Sequence, residues 1–254
     1  MQKCPINNRH SWRQHIKTLV IGASKGLGKA LIEGLGEPGD TLIGVSRSQP
    51  AHLDHKAGVT VHWVEANLAE PAVAAQAIAA AVAEGGLDTL IYNLGIWEEF
   101  AFDPAYNFLT DDDSQIEAIV ACNITSTLLL IKRLLPVLLN SANPRIILTG
   151  STSGLPQSGR PEVTFGASKF ALRGIADALR EGYRQQRLGV TCLNLGYLNT
   201  EDPLSTPREL AAQRGEGHAI PVHDVVQVVR MALSLSSASF VKDITLPAIL
   251  DERF

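Results

Sequence analysis

The stretch Lys17-Thr-Leu-Val-Ile-Gly-Ala-Ser-Lys-Gly-Leu-Gly28 restricts the fold more than any other part of the chain. Leu19, Val20 and Ile21 form a short, fully apolar run bounded by glycine, the pattern of a buried strand in a parallel sheet. Gly22-x-x-x-Gly26-x-Gly28 follows, and Lys29-Ala-Leu-Ile-Glu-Gly-Leu then reads as helix. A strand feeding a helix through such a turn leaves backbone N–H groups free at the helix N-terminus. That end carries roughly +0.5 charge and attracts phosphate. Gly22 permits the tight turn, Gly26 lets a pyrophosphate approach the backbone, and Gly28 lets the helix pack on the sheet. The same glycines also suit a plain strand-to-helix turn without a ligand, so the rest of the chain decides.

Beyond the turn, strand and helix alternate. Apolar runs predict strands at 41–45, 59–64, 87–93, 145–148, 189–195 and 242–246. Helices are predicted over 71–84, 114–135, 165–186 and 222–235, with Pro136 kinking or ending the second of these. Such alternation implies an α/β fold: a doubly wound parallel sheet of about seven strands with helices on both faces. No breakpoint reads as an interdomain linker, so one domain spans 16–254. Residues 1–15 are polar and aperiodic and are expected to form a flexible arm. Residues 196–221, with Pro203, Pro207 and three glycines, read as a mobile segment with one short helix.

Composition excludes several classes. The net charge is −4 over 254 residues, with no basic face for nucleic acid. Cys4, Cys122 and Cys192 are odd in number and far apart, which points to a reducing, cytoplasmic compartment. The first 16 residues hold Lys3, Arg9 and Arg13 but no apolar core of a secretory signal. No apolar run reaches the length of a membrane span. His52-x-x-His55 with Asp54 has no third ligand nearby, so no metal is expected.

The glycine spacing G-x-x-x-G-x-G resembles that of the short-chain dehydrogenases/reductases. Five further residues carry the likeness in order: Asn93-x-Gly95, Asn123, Ser151 and Lys169. It covers about residues 17–246 and implies a Rossmann-type domain binding NADP(H) at the carboxyl ends of the strands. It also implies oxidoreduction of a carbonyl/alcohol small molecule, and a homodimer or homotetramer built on the 114–139 and 165–187 helices. Within the turn, Gly22, Ser24, Lys25, Gly26, Leu27 and Gly28 match the cofactor site. Asn67 stands where the family usually has an adenine-contacting Asp, with Leu68 beside it. Tyr92-Asn-Leu-Gly95 resembles Asn-Asn-Ala-Gly, with Asn93 and Gly95 lining the cleft. Leu195-Gly196 departs from the usual Pro-Gly, and Thr200 matches a threonine near the carboxamide.

Cofactor choice turns on the end of the second strand. An NAD-type site places an acid there for the ribose 2′-OH. This chain has Ser46 and then Arg47. An arginine pairs with a 2′-phosphate that a carboxylate would repel. In the NADP-preferring members, a basic residue at the position of Lys25 completes the clamp. The missing acid also argues against S-adenosylmethionine.

Reduction of a carbonyl needs a hydride donor, a hydrogen bond to the oxygen and an acid for the alkoxide. The family uses Asn, Ser, Tyr and Lys, which the resemblance carries onto Asn123, Ser151, position 165 and Lys169. Position 165 is Phe, one helical turn before Lys169 on the same face. Phe has no proton to give. Three explanations stay open: another group such as water or Tyr197 supplies the acid, the protein only binds the dinucleotide, or Phe165 is an engineered substitution. Asn123 falls in an apolar stripe, where its amide needs partners. The aromatic connection 96–113, with Trp97, Phe100, Phe102, Tyr106 and Phe108, reads either as a loop pinned by its own side chains or as a pocket wall. Asp111-Asp-Asp113 reads as a helix cap.

Overall fold

Seven parallel strands run in the order β3-β2-β1-β4-β5-β6-β9 in the computed structural model, which describes residues 15–252. They are β1 Lys17–Ile21, β2 Thr41–Ser46, β3 Thr60–Glu65, β4 Thr89–Tyr92, β5 Arg145–Thr149, β6 Gly189–Leu195 and β9 Asp243–Leu246. The helices are α1 Gly26–Leu35, α2 Pro71–Val82, α3 Asp113–Val120, α4 Ser126–Leu138, α5 Val163–Gly182, α6 Arg208–Arg214 and α7 Val222–Leu233. A two-stranded parallel pair, β7 Leu198–Asn199 and β8 Ile220–Pro221, lies outside the main sheet.

Alternation along β1 splits the core. Leu19 and Ile21 face α2, α4 and α5, and Val20 faces α1 and α7. Both layers are apolar, which is why the central strands read as continuous apolar runs. The strand order reverses between β1 and β4. In such sheets the ligand crevice opens at that point, beyond the carboxyl ends of the strands. Gly22, Asn67, Asn93, Ser151 and Gly196 follow strand ends on this edge, and Ser46 is the last residue of β2.

Several predicted boundaries shift. The 114–135 helix starts at Asp113, where the Asp112 carboxylate accepts from Ser114 N (2.7 Å), and runs to Leu138. Pro136 does not end it. The helix continues through Val137 and Leu138 beyond it. A π-helical turn, Ala121–Thr125, joins α3 to α4. The whole run Asp113–Leu138 is long and apolar enough to cross a bilayer, contrary to the expectation from sequence. Half of that apolar window is buried, with Leu130, Ile131, Leu134 and Leu138 packed in the core.

The 165–186 helix occupies Val163–Gly182 and gives way at Tyr183 to turns ending at Arg187, whose φ is 59°. Segment 196–221 holds the one short helix expected, and also the β7–β8 pair, which the sequence reading lacked. Asn199 Nδ2 donates to Asp202 (2.8 Å) and to the Ala211 carbonyl (3.1 Å), and Arg214 pairs with Asp202. The expected arm lies almost entirely outside the described residues.

Candidate active site

The turn after β1 has the geometry its glycines require. Gly22 and Gly26 have φ of 77° and 52°, in the left-handed region that glycine tolerates. Gly22 N donates to the Val45 carbonyl at 2.9 Å, tying the turn to β2. A Cβ on Gly28 would overlap the Gly22 carbonyl oxygen, so this glycine lets the turn close on itself. Helix α1 then starts with no side-chain cap and no acid in its first turn. Its N-terminal N–H groups therefore suit an anion. Lys25 and Arg47 are exposed, and among the described residues neither has an acidic partner within 4 Å. Ser46 donates to the Ser48 carbonyl (2.6 Å) and accepts from Trp63 Nε1 (3.1 Å). Asn67 is exposed, its Oδ1 accepting from Ala69 N (3.2 Å), and Leu68 is buried beneath it.

A cleft of about 390 Å³ opens on the same edge. Leu27, Asn93, Gly95, Ser151, Phe165, Lys169, Gly196 and Thr200 line it, so eight of the sequence-predicted residues meet there. The other predicted residues of the glycine turn, together with Ser46, Arg47, Asn67 and Leu68, lie outside its lining.

Lys169 is buried, and its Nζ donates to the Thr149 carbonyl at 3.0 Å. Burial pulls its pKa down from 10.5 to about 8. A Cβ on Gly95 would fall 2.9 Å from that ammonium, and one on Gly154 would fall 2.8 Å from the lysine backbone. Both glycines make room for the lysine. Ser151 Oγ accepts from Ser153 N (3.1 Å), which leaves its own proton free to donate into the cleft. The Phe165 ring lies 5.5 Å from Lys169 Nζ, so the turn before the lysine presents an apolar ring to the cleft.

Asn123 is placed behind the cleft rather than in it, and is 1% exposed. Its Nδ2 donates to the Ile96 carbonyl (2.8 Å) and to Ser168 Oγ (2.9 Å), and its Oδ1 accepts from Ile96 N (2.9 Å). The amide thus ties the loop after β4 to α5. The π-turn loosens nearby carbonyls, and hydroxyls take them up. Thr127 Oγ1 donates to the Asn123 carbonyl (2.8 Å) and Tyr92 to the Cys122 carbonyl (3.1 Å). Burial pushes Tyr92 up to about 12, so it stays a neutral donor.

Four aromatic rings wall the cleft. Phe102 stands edge-on to Phe165 (5.6 Å, 89°) and to Tyr197 (5.6 Å, 80°), and Trp97 edge-on to Phe165 (6.3 Å, 83°). Within the 96–113 connection, Trp97 and Phe102 form pocket wall while Phe100, Tyr106 and Phe108 lie outside the lining, and the connection is also pinned to its surroundings. Buried Glu98 accepts from Thr164 N and Phe165 N, both at 2.9 Å, and Glu162 accepts from Phe102 N at 3.0 Å. Arg160 donates to Tyr197 Oη (3.1 Å) and to both Asp251 oxygens (3.2 Å). Sequence reasoning missed Glu98, Glu162, Arg160 and Asp251. A carboxylate next to Trp97 in an aromatic loop was the one visible sign.

Residues 17–207 match the family described as short chain dehydrogenase. The chain belongs to this family. Among short-chain dehydrogenase relatives, an uncharacterized oxidoreductase, YciK, of Escherichia coli K12 is 28% identical over 76% of this chain and 81% of its own. The 3-oxoacyl-[acyl-carrier-protein] reductase FabG of the same organism is 26% identical over 72% and 73%. An alcohol dehydrogenase from the archaeon Thermococcus sibiricus, solved with 5-hydroxy-NADP, superposes with a TM-score of 0.76 at 16% identity, over 94% of this chain and 99% of that one. That likeness is one of fold.

Proposed function

We propose that this short-chain dehydrogenase binds NADP(H) and interconverts a carbonyl and an alcohol, with the proton handled by a group other than residue 165. The observation that carries this reading is the meeting of Ser151 and Lys169 in one cleft beside an uncapped, base-flanked helix N-terminus. The residues present fit the dinucleotide. The first turn of α1 offers N–H groups to the pyrophosphate, and Lys25 and Arg47 face no carboxylate that would oppose a 2′-phosphate. Asn93, Gly95, Gly196 and Thr200 would border the nicotinamide half, and the Lys169 ammonium would hold its ribose hydroxyls. When bound, the reduced nicotinamide supplies the hydride. Ser151 polarises the carbonyl through its free O–H. We take Phe165 to stand in the place of the family's tyrosine acid, so the alkoxide has no phenol beside Lys169.

The test compares dissociation constants for NADPH and NADH in native protein and Arg47→Asp. NADPH is expected to bind at least tenfold more tightly in the native chain, and the variant to lose that preference. Equal or tighter NADH binding in the native chain overturns the choice of cofactor. Absorbance at 340 nm with a panel of carbonyl compounds then reads turnover. Phe165 favours a second reading, a dinucleotide-binding sensor, which tight NADPH binding without turnover of any carbonyl would support. As in the family, we place the dimer contact on the 114–139 and 165–187 helices, where Val120, Leu128 and Phe170 are exposed.

A further inference from the structure

We propose that the substrate is a flat, electron-poor quinone rather than a simple ketone or aldehyde. The inference rests on the carbonyl-reducing reading above and deepens it. It starts from what position 165 lacks. Hydride addition to a ketone leaves an alkoxide, a base about as strong as hydroxide. Such a product needs an acid in the site. A quinone that accepts a hydride with its electron pair becomes a hydroquinone monoanion. This is the conjugate base of a phenol, near about 10. The hydroquinone anion is therefore a far weaker base than an alkoxide, and it forms without an enzymic acid. Water takes over the remaining step, giving one proton to the anion and leaving hydroxide. The balance is one quinone, one reduced nicotinamide and one proton in, and one hydroquinone and one oxidised nicotinamide out.

The walls point the same way. Phe102, Phe165 and Tyr197 meet edge to face, and Trp97 stands at the mouth with 54% of its surface exposed. Ring faces are electron-rich, so they attract a flat, electron-poor ring more than an aliphatic chain. Ser151 can donate to the oxygen on which charge collects.

The test uses 1,4-naphthoquinone and its ring-matched ketone 1-tetralone with the native protein. Without cofactor, naphthoquinone is expected to quench tryptophan fluorescence saturably, with the saturable part lost in Trp97→Phe. With NADPH, kcat/KM for naphthoquinone is expected to exceed that for tetralone by at least 100-fold. Quinones accept hydride more readily in any site, so the deciding quantity is how this ratio changes in Phe165→Tyr. The added phenol is expected to narrow it at least tenfold by raising tetralone reduction. A solvent deuterium isotope effect near one for native naphthoquinone turnover provides a readout that needs no variant. An unchanged ratio in a folded Phe165→Tyr, a large solvent effect, no Trp97-dependent quenching, or reduction of neither compound by protein that binds NADPH overturns the proposal. Absence of NADPH binding instead overturns the underlying reading.

Discussion

On the proposed reading, one hydroxyl at residue 165 separates two kinds of chemistry. A missing general acid costs about 10²–10⁴ in rate. Phe165→Tyr is therefore expected to raise NADPH-dependent ketone reduction roughly 100-fold, and Lys169→Ala in that background to remove the gain. Ketone reduction by native protein at the rate of the Tyr variant would show that another group already supplies the proton. Lys169 makes a second prediction, on stability. Burial lowers its pKa to about 8 in the folded state, against 10.5 in the unfolded chain. Between these values the unfolded chain binds more protons, so this residue makes stability rise with pH across that window. Below pH 8 the cost of burying the charge is fully present, about 3 kcal/mol. Lys169→Met is thus expected to gain stability over the native protein most strongly below pH 8. Its advantage should shrink towards pH 10.5 in urea unfolding followed across that range.

Helix α5 depends on a side chain from elsewhere in the chain. Its first turn has no cap of its own, and Glu98 fills that place from 66 residues away. Removing this buried hydrogen-bond acceptor strands two N–H groups. Glu98→Ala is expected to cost about 1–3 kcal/mol by denaturant titration, and Glu98→Gln less, because its amide oxygen still accepts. The turn before α1 makes a different prediction. Gly28→Ala must push the turn open, so NADPH affinity should fall at least tenfold while the far-UV spectrum stays native. Unaltered affinity would place the pyrophosphate elsewhere.

Across the whole molecule, segment 196–221 links the cleft, through Gly196, Tyr197 and Thr200, to the outer helices. Saturating NADPH is expected to slow protease cleavage within it, because Gly26 packs on Thr200 and bound cofactor would hold both. Cleavage at the same rate with and without NADPH would uncouple the segment from the cofactor. The exposed faces of α4 and α5 make the assembly testable. Phe170→Glu is expected to convert a dimer or tetramer to monomer in sedimentation velocity, and a native monomer would remove that interface.

The order of elements, the parallel sheet and the crevice edge were all legible in the sequence. Each rests on local rules: apolar runs for two-sided burial, glycines for left-handed turns, and alternation for crossover connections. The line of Gly22, Asn93, Ser151 and Gly196 along one edge follows from the same rules, because each lies just beyond a strand end, and helix α5 brings Lys169 to them. Tertiary structure alone decided the rest. Asn123 turned its amide to Ile96 and Ser168, because a buried amide bonds to whatever polar atoms the packing supplies. Pro136 stayed within α4, where Leu134, Leu135 and Leu138 on either side of it pack in the core. Glu98 capped a distant helix, and Arg160 joined Asp251 across 91 residues. Such pairings carry no period and no local motif. Their partners are chosen only when the packed core brings far parts of the chain within hydrogen-bond reach.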